Sequence, residues 1–275
     1  MRITVNDIRE RKQKGEKITM LTCYDYSTAK LLEEAGIDFI LVGDSLGTVV
    51  LGYDTTLPVT MDVMIHHAKA VVRGTSKALV VGDMPFMTYH TSTEDCLRNA
   101  ARFLQEAGCQ AIKLEGGVTV ADKVKRCIEC GIPVMGHIGL TPQSVNAFGG
   151  HKLQGKTKEA AARLVQDAIA LDQAGAFAIV LETIPAPLGT LITQKVNCPT
   201  IGIGAGPGCD GQVQVINDML GSFTDFVPRH AKQYAHLAAI IKDAASQYDK
   251  EVKSGVFPTA KNSFAMDESL LAELK

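Results

Sequence analysis

The chain predicts an α/β fold, a (β/α)8 barrel of the TIM type with a short N-terminal helix and a C-terminal tail. Two observations carry that expectation. Four times an Ala-Gly or Cys-Gly step leads into a short apolar run that ends on a polar residue: AGIDFILVGD at Asp44, AGCQAIKLE at Glu115, CGIPVMGH at His137 and AGAFAIVLE at Glu182. A fifth run, ALVVGD, lacks the leading glycine and ends at Asp83. Each glycine reads as the left-handed residue that stops a helix, and each run as a strand covered on both faces. Helix and strand signals also alternate over most of the 275 residues. That alternation favours one barrel domain over residues 1–275, with 257–275 as its tail, above an open doubly wound sheet.

The elements follow in order. A short amphipathic helix around Asn6 to Lys14 precedes a first strand, Ile18 to Thr22. Asp25 or Ser27 can cap a helix through Glu34, which Gly36 ends before the strand FILVG. A long excursion from Ser45 to Pro58 precedes a helix, Met61 to Arg73, and a third strand, Ala78 to Gly82. Thr91-x-x-Glu94 and Ser92-x-x-Asp95 both have capping-box spacing and open a helix that ends at Gly108; Thr119-x-x-Asp122 repeats the device. The fourth and fifth strands are Ala111 to Leu114 and Pro133 to Gly136. The segment Ile138 to Lys156, rich in glycine and polar residues, is too long for an ordinary connection and is expected to act as a lid or binding loop. A helix from Lys158 to Gln173 leads to a sixth strand, Ala178 to Leu181; PTIGIG and GQVQVI supply the last two. A helix from His230 to Lys253 is expected to close the ring, and no strand signal follows Val256.

Lys and Arg (28) nearly balance Asp and Glu (30), for a net charge of -2, so no field of one sign draws in nucleic acid or an anionic membrane. A small-molecule substrate is the expectation that remains. No apolar run reaches transmembrane length, and Met1 to Lys17 is charged without a signal-peptide core, which predicts a cytoplasmic protein. The seven cysteines form an odd, scattered set that suits free thiols. Cys127-x-x-Cys130 has no second Cys or His pair at zinc spacing and is read as part of a helix end.

If the strands are consecutive staves of one barrel, Asp44, Asp83, Glu115, His137 and Glu182 share its carboxyl-terminal mouth. One acid after a strand commonly caps the next helix. Four acids and a histidine at five successive strand ends point instead to a site. Crowded carboxylates repel one another unless protonated or bound to a cation, and an oxygen donor set favours Mg2+ over zinc. Lys113 lies two residues before Glu115 on the same strand face, where it can hold a substrate carboxylate, form a Schiff base or make an internal ion pair. Ser45 can offer its hydroxyl and backbone N–H to an anion or serve as a turn residue. His137 can donate a hydrogen bond to a carbonyl oxygen, exchange a proton or sit satisfied in the core. His66 and His67 are read as structural or surface residues. Gly206 to Gly211 fits G-x-G-x-x-G formally, but no helix opens there and Pro207 stiffens it, so a tight turn is expected.

YDYSTAKLLEEAGID, LVGDSLG, TLPVTMDVM, DMPFMTY, KLEGG, GHIGLTPQSVNAFGG, LQG, LETIP and IGIGAG together resemble the ketopantoate (3-methyl-2-oxobutanoate) hydroxymethyltransferase family, from about Ile18 to about Phe257. The resemblance implies transfer of a hydroxymethyl group from methylenetetrahydrofolate to 3-methyl-2-oxobutanoate, giving ketopantoate in pantothenate biosynthesis. It implies Mg2+ held by Asp44 and Asp83 with Glu115 as a direct or water-mediated ligand. It further implies that Ser45, Asp83 and Lys113 contact the substrate, that His137 hydrogen-bonds it, and that Glu182 is the general base. A homo-oligomer, often a decamer of two stacked rings, is implied as well. Three alternatives stay open on the residues alone: a Mg2+-dependent 2-oxo-acid lyase or mutase of the phosphoenolpyruvate mutase and isocitrate lyase type, a class I aldolase using Lys113, and a barrel that binds a ligand without catalysis.

Overall fold

The computed structural model describes residues 1–274. Helix α1 (Val5–Lys14) opens on a capping box between Thr4 and Asp7 and ends at Gly15, which is left-handed. Eight strands then close into a ring in sequence order, every neighbouring pair parallel. They are β1 (Ile18–Thr22), β2 (Phe39–Val42), β3 (Leu79–Asp83), β4 (Ala111–Glu115), β5 (Val134–Gly139), β6 (Ala178–Glu182), β7 (Thr200–Ile203) and β8 (Gly211–Gln214). The (β/α)8 barrel expected from the alternating signals is therefore observed.

The helices follow in the order α2 (Tyr26–Glu34), α3 (Leu46–Val49), α4 (Met61–Arg73), α5 (Thr93–Arg102), α6 (Ala121–Glu129), α7 (Val145–Phe148), α8 (Lys158–Gln173) and α9 (Ala186–Lys195); the longer ones cover the outside of the ring, while the short α3 and α7 stand at its mouth, where Val49 and Val145 line a cavity. Asp25 caps α2 and Ser92 caps α5, which a π-helical turn, Phe103–Ala107, extends to the left-handed Gly108. The Thr119 cap is not realised: a 3-10 turn, Val118–Val120, feeds α6 directly, with Val120 at the N-cap and no side-chain bond.

Alternation along the strands divides the core in two. Outward residues such as Ile40, Val80, Ile112 and Ile179 pack against the helices. Inward residues such as Met20, Leu41, Val81, Met135 and Val180 fill the barrel, and Ile8 of α1 plugs its amino-terminal end against them. The plug is tied down by Arg9 to the carbonyls of Gly175 and Ala176, by Lys12 to three carbonyls beneath β7, and by an Arg11–Asp38 ion pair. The amino-terminal end is thus closed, and chemistry is left to the other mouth.

No helix joins β7 to β8; residues 204–210 run back along α9, where a Cβ on Gly206 would stand 2.4 Å from that of Ala186 and one on Gly208 would stand 2.1 Å from Thr190 Oγ1. These glycines serve packing against a helix, as the tight-turn reading required. The helix expected over His230 to Lys253 begins only at Leu237, as α11 (Leu237–Lys253), and it does not close the ring because none of its residues is buried. The short α10 (Ile216–Leu220) takes the eighth helical place. Ile240 and Ile241 of α11 stay 60% and 57% exposed. All seven cysteines are free; only Cys130 is exposed, and Cys127 faces Cys96, sulfur to sulfur at 3.8 Å. His66 is exposed, and His67 Nδ1 lies 2.7 Å from the Tyr24 carbonyl. Among the described residues no helix is long and apolar enough to cross a membrane.

Candidate active site

Strand register assembles the mouth. Asp83 stands opposite Lys113, Glu115 opposite His137, and Glu182 opposite Gly139. Asp83, Glu115, His137 and Glu182 lie within their strands rather than after them, while Asp44 and Ser45 follow β2. Asp44, Asp83, Lys113, Glu115 and His137 are all buried, and the seven residues named from the sequence, Ser45 and Glu182 included, line one cavity of about 590 Å3. The sequence reading therefore placed every one of them in the same bowl.

The charges lean on one another. Lys113 Nζ stands 2.8 Å from Asp83 Oδ1 and 3.3 Å from His137 Nδ1. His137 Nδ1 is 3.4 Å from Glu115 Oε1, and its Nε2 is 3.2 Å from Glu182 Oε2. Burial pushes the Asp44 carboxyl well above the usual range, and Asp83 and Glu115 push it further. Burial works against the Lys113 ammonium, yet Asp83, Glu115 and Asp44 outweigh it and hold the cation above its ordinary value. Burial and Lys113 likewise oppose a charged His137, but the carboxylates of Glu115 and Glu182 beside its two nitrogens prevail and raise it to about 9. The carboxylates thus favour the protonated ring, whose two nitrogens each face an acid.

Three residues to which the sequence reading gave no role complete the site. Gln143, in a 3-10 turn of the long 138–156 segment, donates Nε2 to Asp44 Oδ2 at 2.8 Å and to the Met84 carbonyl at 3.0 Å. Its backbone N–H reaches Glu115 Oε2 at 3.1 Å, and its side-chain oxygen accepts from the Tyr89 hydroxyl at 2.7 Å. Tyr24 shares a 2.8 Å hydrogen bond with Ser45. Gln143 and Tyr89 sit inside GHIGLTPQS and DMPFMTY, so the signal lay in the quoted motifs, but no periodicity singles out these side chains. The segment from 138 to 156 covers the bowl as expected of a lid, supplying Leu140, Pro142, Val145 and His151 to the cavity wall.

The backbone around Glu182 is tightly held. Gly139 has φ +98°, and a Cβ there would lie 2.2 Å from the Glu182 carbonyl oxygen, so only glycine fits. Thr183 has φ +49°, a strained conformation for a β-branched residue. It is kept there by Thr183 N–H on the Ile203 carbonyl and by Gln154 N–H on the Thr183 carbonyl, while Leu140 N–H holds the Glu182 carbonyl.

Among the described residues no three His, Cys, Asp or Glu side chains already converge on one point as a metal cage. The donor set nevertheless fits a hard divalent cation. Asp83 Oδ1 and Glu115 Oε1 are buried without a well-formed hydrogen bond, and three buried carboxylates face one buried lysine. Asp44, Asp83 and Glu115 could hold such an ion through oxygen alone.

Comparison with known proteins agrees with this chemistry. The model of a family described as ketopantoate hydroxymethyltransferase matches residues 2–260. A 3-methyl-2-oxobutanoate hydroxymethyltransferase of Dehalococcoides mccartyi is 65% identical over 100% of this chain and 98% of its own. One from Acetivibrio thermocellus is 56% identical over 99% and 96%. Among solved structures, phosphonopyruvate hydrolase in complex with oxalate and Mg2+ superposes with a TM-score of 0.61 at 14% identity over 94% of this chain and 93% of that one. A 2,3-dimethylmalate lyase of the PEP mutase/isocitrate lyase superfamily gives 0.59 at 15% identity, covering 99% of both. Those two likenesses concern the fold alone. With the family model and these relatives spanning almost the whole chain, the chain belongs to the ketopantoate hydroxymethyltransferase family.

Proposed function

We propose that the chain transfers a hydroxymethyl group from methylenetetrahydrofolate to 3-methyl-2-oxobutanoate, giving ketopantoate and tetrahydrofolate with uptake of one water. The observation that carries this reading is the gathering, in one buried bowl, of Asp44, Asp83 and Glu115 around Lys113, with the His137–Glu182 pair directly beside them. Glu182 removes the proton from C3 of the 2-oxo acid, Lys113 balances its carboxylate, and His137 donates to the oxygen that gains charge. Ser45, fixed by Tyr24, adds a hydroxyl beside the carboxylate. Water takes the methylene unit from the folate as a formaldehyde equivalent, breaking both C–N bonds and leaving its protons on N5 and N10; the carbanionic C3 adds to that carbon, and the new alkoxide takes back the proton held by Glu182. Mg2+ is the ion we assign to Asp44, Asp83 and Glu115; when bound, it supplies Lewis acidity at the keto oxygen.

The lyase and mutase alternative shares the barrel, but the relatives at 56% identity and above carry the hydroxymethyltransferase name. The exposed apolar side chains of α11 support a homo-oligomer, for which the family pattern implies a decamer. Seven free thiols, six of them buried, suit the cytoplasm. The test is direct: protein, Mg2+, methylenetetrahydrofolate and the 2-oxo acid are incubated, and ketopantoate is sought by mass spectrometry. Absence of product with all four present overturns the reading.

A further inference from the structure

We propose that Asp218 anchors the aminopyrimidine edge of the folate cosubstrate in the outer half of the cavity, an inference that rests on the function proposed above. The cavity of about 590 Å3 falls within the range that holds ligands of drug size, far more than a branched five-carbon 2-oxo acid fills. A one-carbon unit is transferred only at bonding contact, so its donor must occupy the same cavity above the oxo acid. The floor belongs to the oxo acid, through Lys113 and the acids around it. The remaining wall carries Asp218 of α10, and the rim carries Phe223 and Phe226.

Asp218 is 7% exposed, and its carboxylate accepts no hydrogen bond and meets no cation among the described residues. A buried carboxylate left in that state is costly unless something that enters the cavity satisfies it. Its place is fixed locally: Thr22 Oγ1 accepts the Ile216 N–H at 2.9 Å, which ties the start of α10 to the end of β1. Burial alone raises its pKa to about 6, as expected of a carboxylate that awaits a donor.

The chemistry selects the ligand. An anionic oxo acid is repelled by Asp218 and drawn to Lys113. A reduced pterin presents a ring N–H and an exocyclic amino N–H side by side, and the two oxygens of a carboxylate accept such a parallel pair as they accept a guanidinium fork. Phe223 and Phe226, edge to face with ring centres 5.6 Å apart, give the rim an apolar surface suited to a flat heterocycle.

The experiment measures KM for both substrates in the full reaction, with Asp218→Asn against the unaltered chain, and repeats it with a methylenetetrahydrofolate analogue lacking the 2-amino group. Asp218→Asn is expected to raise KM for the folate by about 10- to 100-fold, as for loss of a charge-assisted pair, and KM for the 2-oxo acid by less than about twofold. The analogue is expected to be poor with the unaltered chain and no worse than the parent folate with Asp218→Asn. An unmoved folate KM, or an equal rise for both substrates, overturns the proposal. So does an unaltered chain that does not distinguish the two folates, a result that stands even if the variant fails to fold. An unaltered chain that makes no ketopantoate at all refutes the proposed function instead.

Discussion

Gln143 donates its side-chain amide to Asp44 at 2.8 Å, so a residue from the loop after β5 orients an acid from the loop after β2. A hydrogen bond to one oxygen of a carboxylate fixes which oxygen is left to face a bound ion. Gln143→Leu is expected to weaken divalent-ion binding by about 10- to 100-fold, read by calorimetric titration of the ion alone. An unchanged affinity separates Gln143 from the ion-binding acids.

Glu182→Gln removes the proposed base while its neutral amide still fills the same volume. Exchange of the substrate's C3 proton with deuterated water is expected to slow by about 10^2- to 10^4-fold, with ion affinity little altered. NMR of the methine signal follows this directly, and exchange at the original rate excludes the role given to Glu182.

Lys113 is paired with Asp83 at 2.8 Å and faces two further acids, which keep it protonated and poorly nucleophilic. Borohydride added with the 2-oxo acid is expected to trap no adduct in an intact-mass measurement. A reduced Schiff base at Lys113 would restore the aldolase alternative.

Glu33 offers a test of stability against pH. Its carboxylate accepts the backbone N–H groups of Ser76, Lys77 and Ala78 and the Ser76 hydroxyl. Burial opposes the charge, but these bonds outweigh it and hold the carboxyl down at about 2, against an ordinary value of 4.5. The folded state therefore gains stability that is complete above about pH 4.5 and is lost as pH falls towards 2. Glu33→Gln is expected to cost about 1–3 kcal/mol at pH 7, with the gap to the unaltered chain narrowing below pH 4.5 in denaturant titrations.

Helix α11 buries none of its residues and leaves Ile240, Ile241, Tyr248 and Val252 exposed. Sedimentation is expected to give a multiple of the single-chain mass, and Ile240→Lys with Ile241→Lys to lower it. A monomer before substitution overturns the oligomer.

The barrel was legible because a parallel strand covered on both faces gives a continuous apolar run, and five of these runs end on a residue that the ring gathers. Lys113 stood out for the opposite reason, as a charge inside a strand that is otherwise apolar up to its terminal acid. Gln143 and Tyr89 did not, since a polar side chain in a loop has no period and its partners lie far away in sequence. Thr119 failed as a cap because capping-box spacing marks only an opportunity, which the 3-10 turn at Val118–Val120 pre-empts. Helix α11 was expected to close the ring because its apolar pattern reads like that of a buried helix, yet none of its residues is buried.

The segment from 138 to 156 grips the site at three points. Leu140 and Gln154, near its two ends, hold the carbonyls of Glu182 and Thr183, and Gln143, between them, holds Asp44. The strained turn at Thr183 is fastened from this side by Gln154 and from the other by the Ile203 carbonyl. A single piece of chain therefore fixes the Asp44 carboxylate and the Glu182–Thr183 backbone together, so any shift of that piece is felt on both sides of the bowl at once.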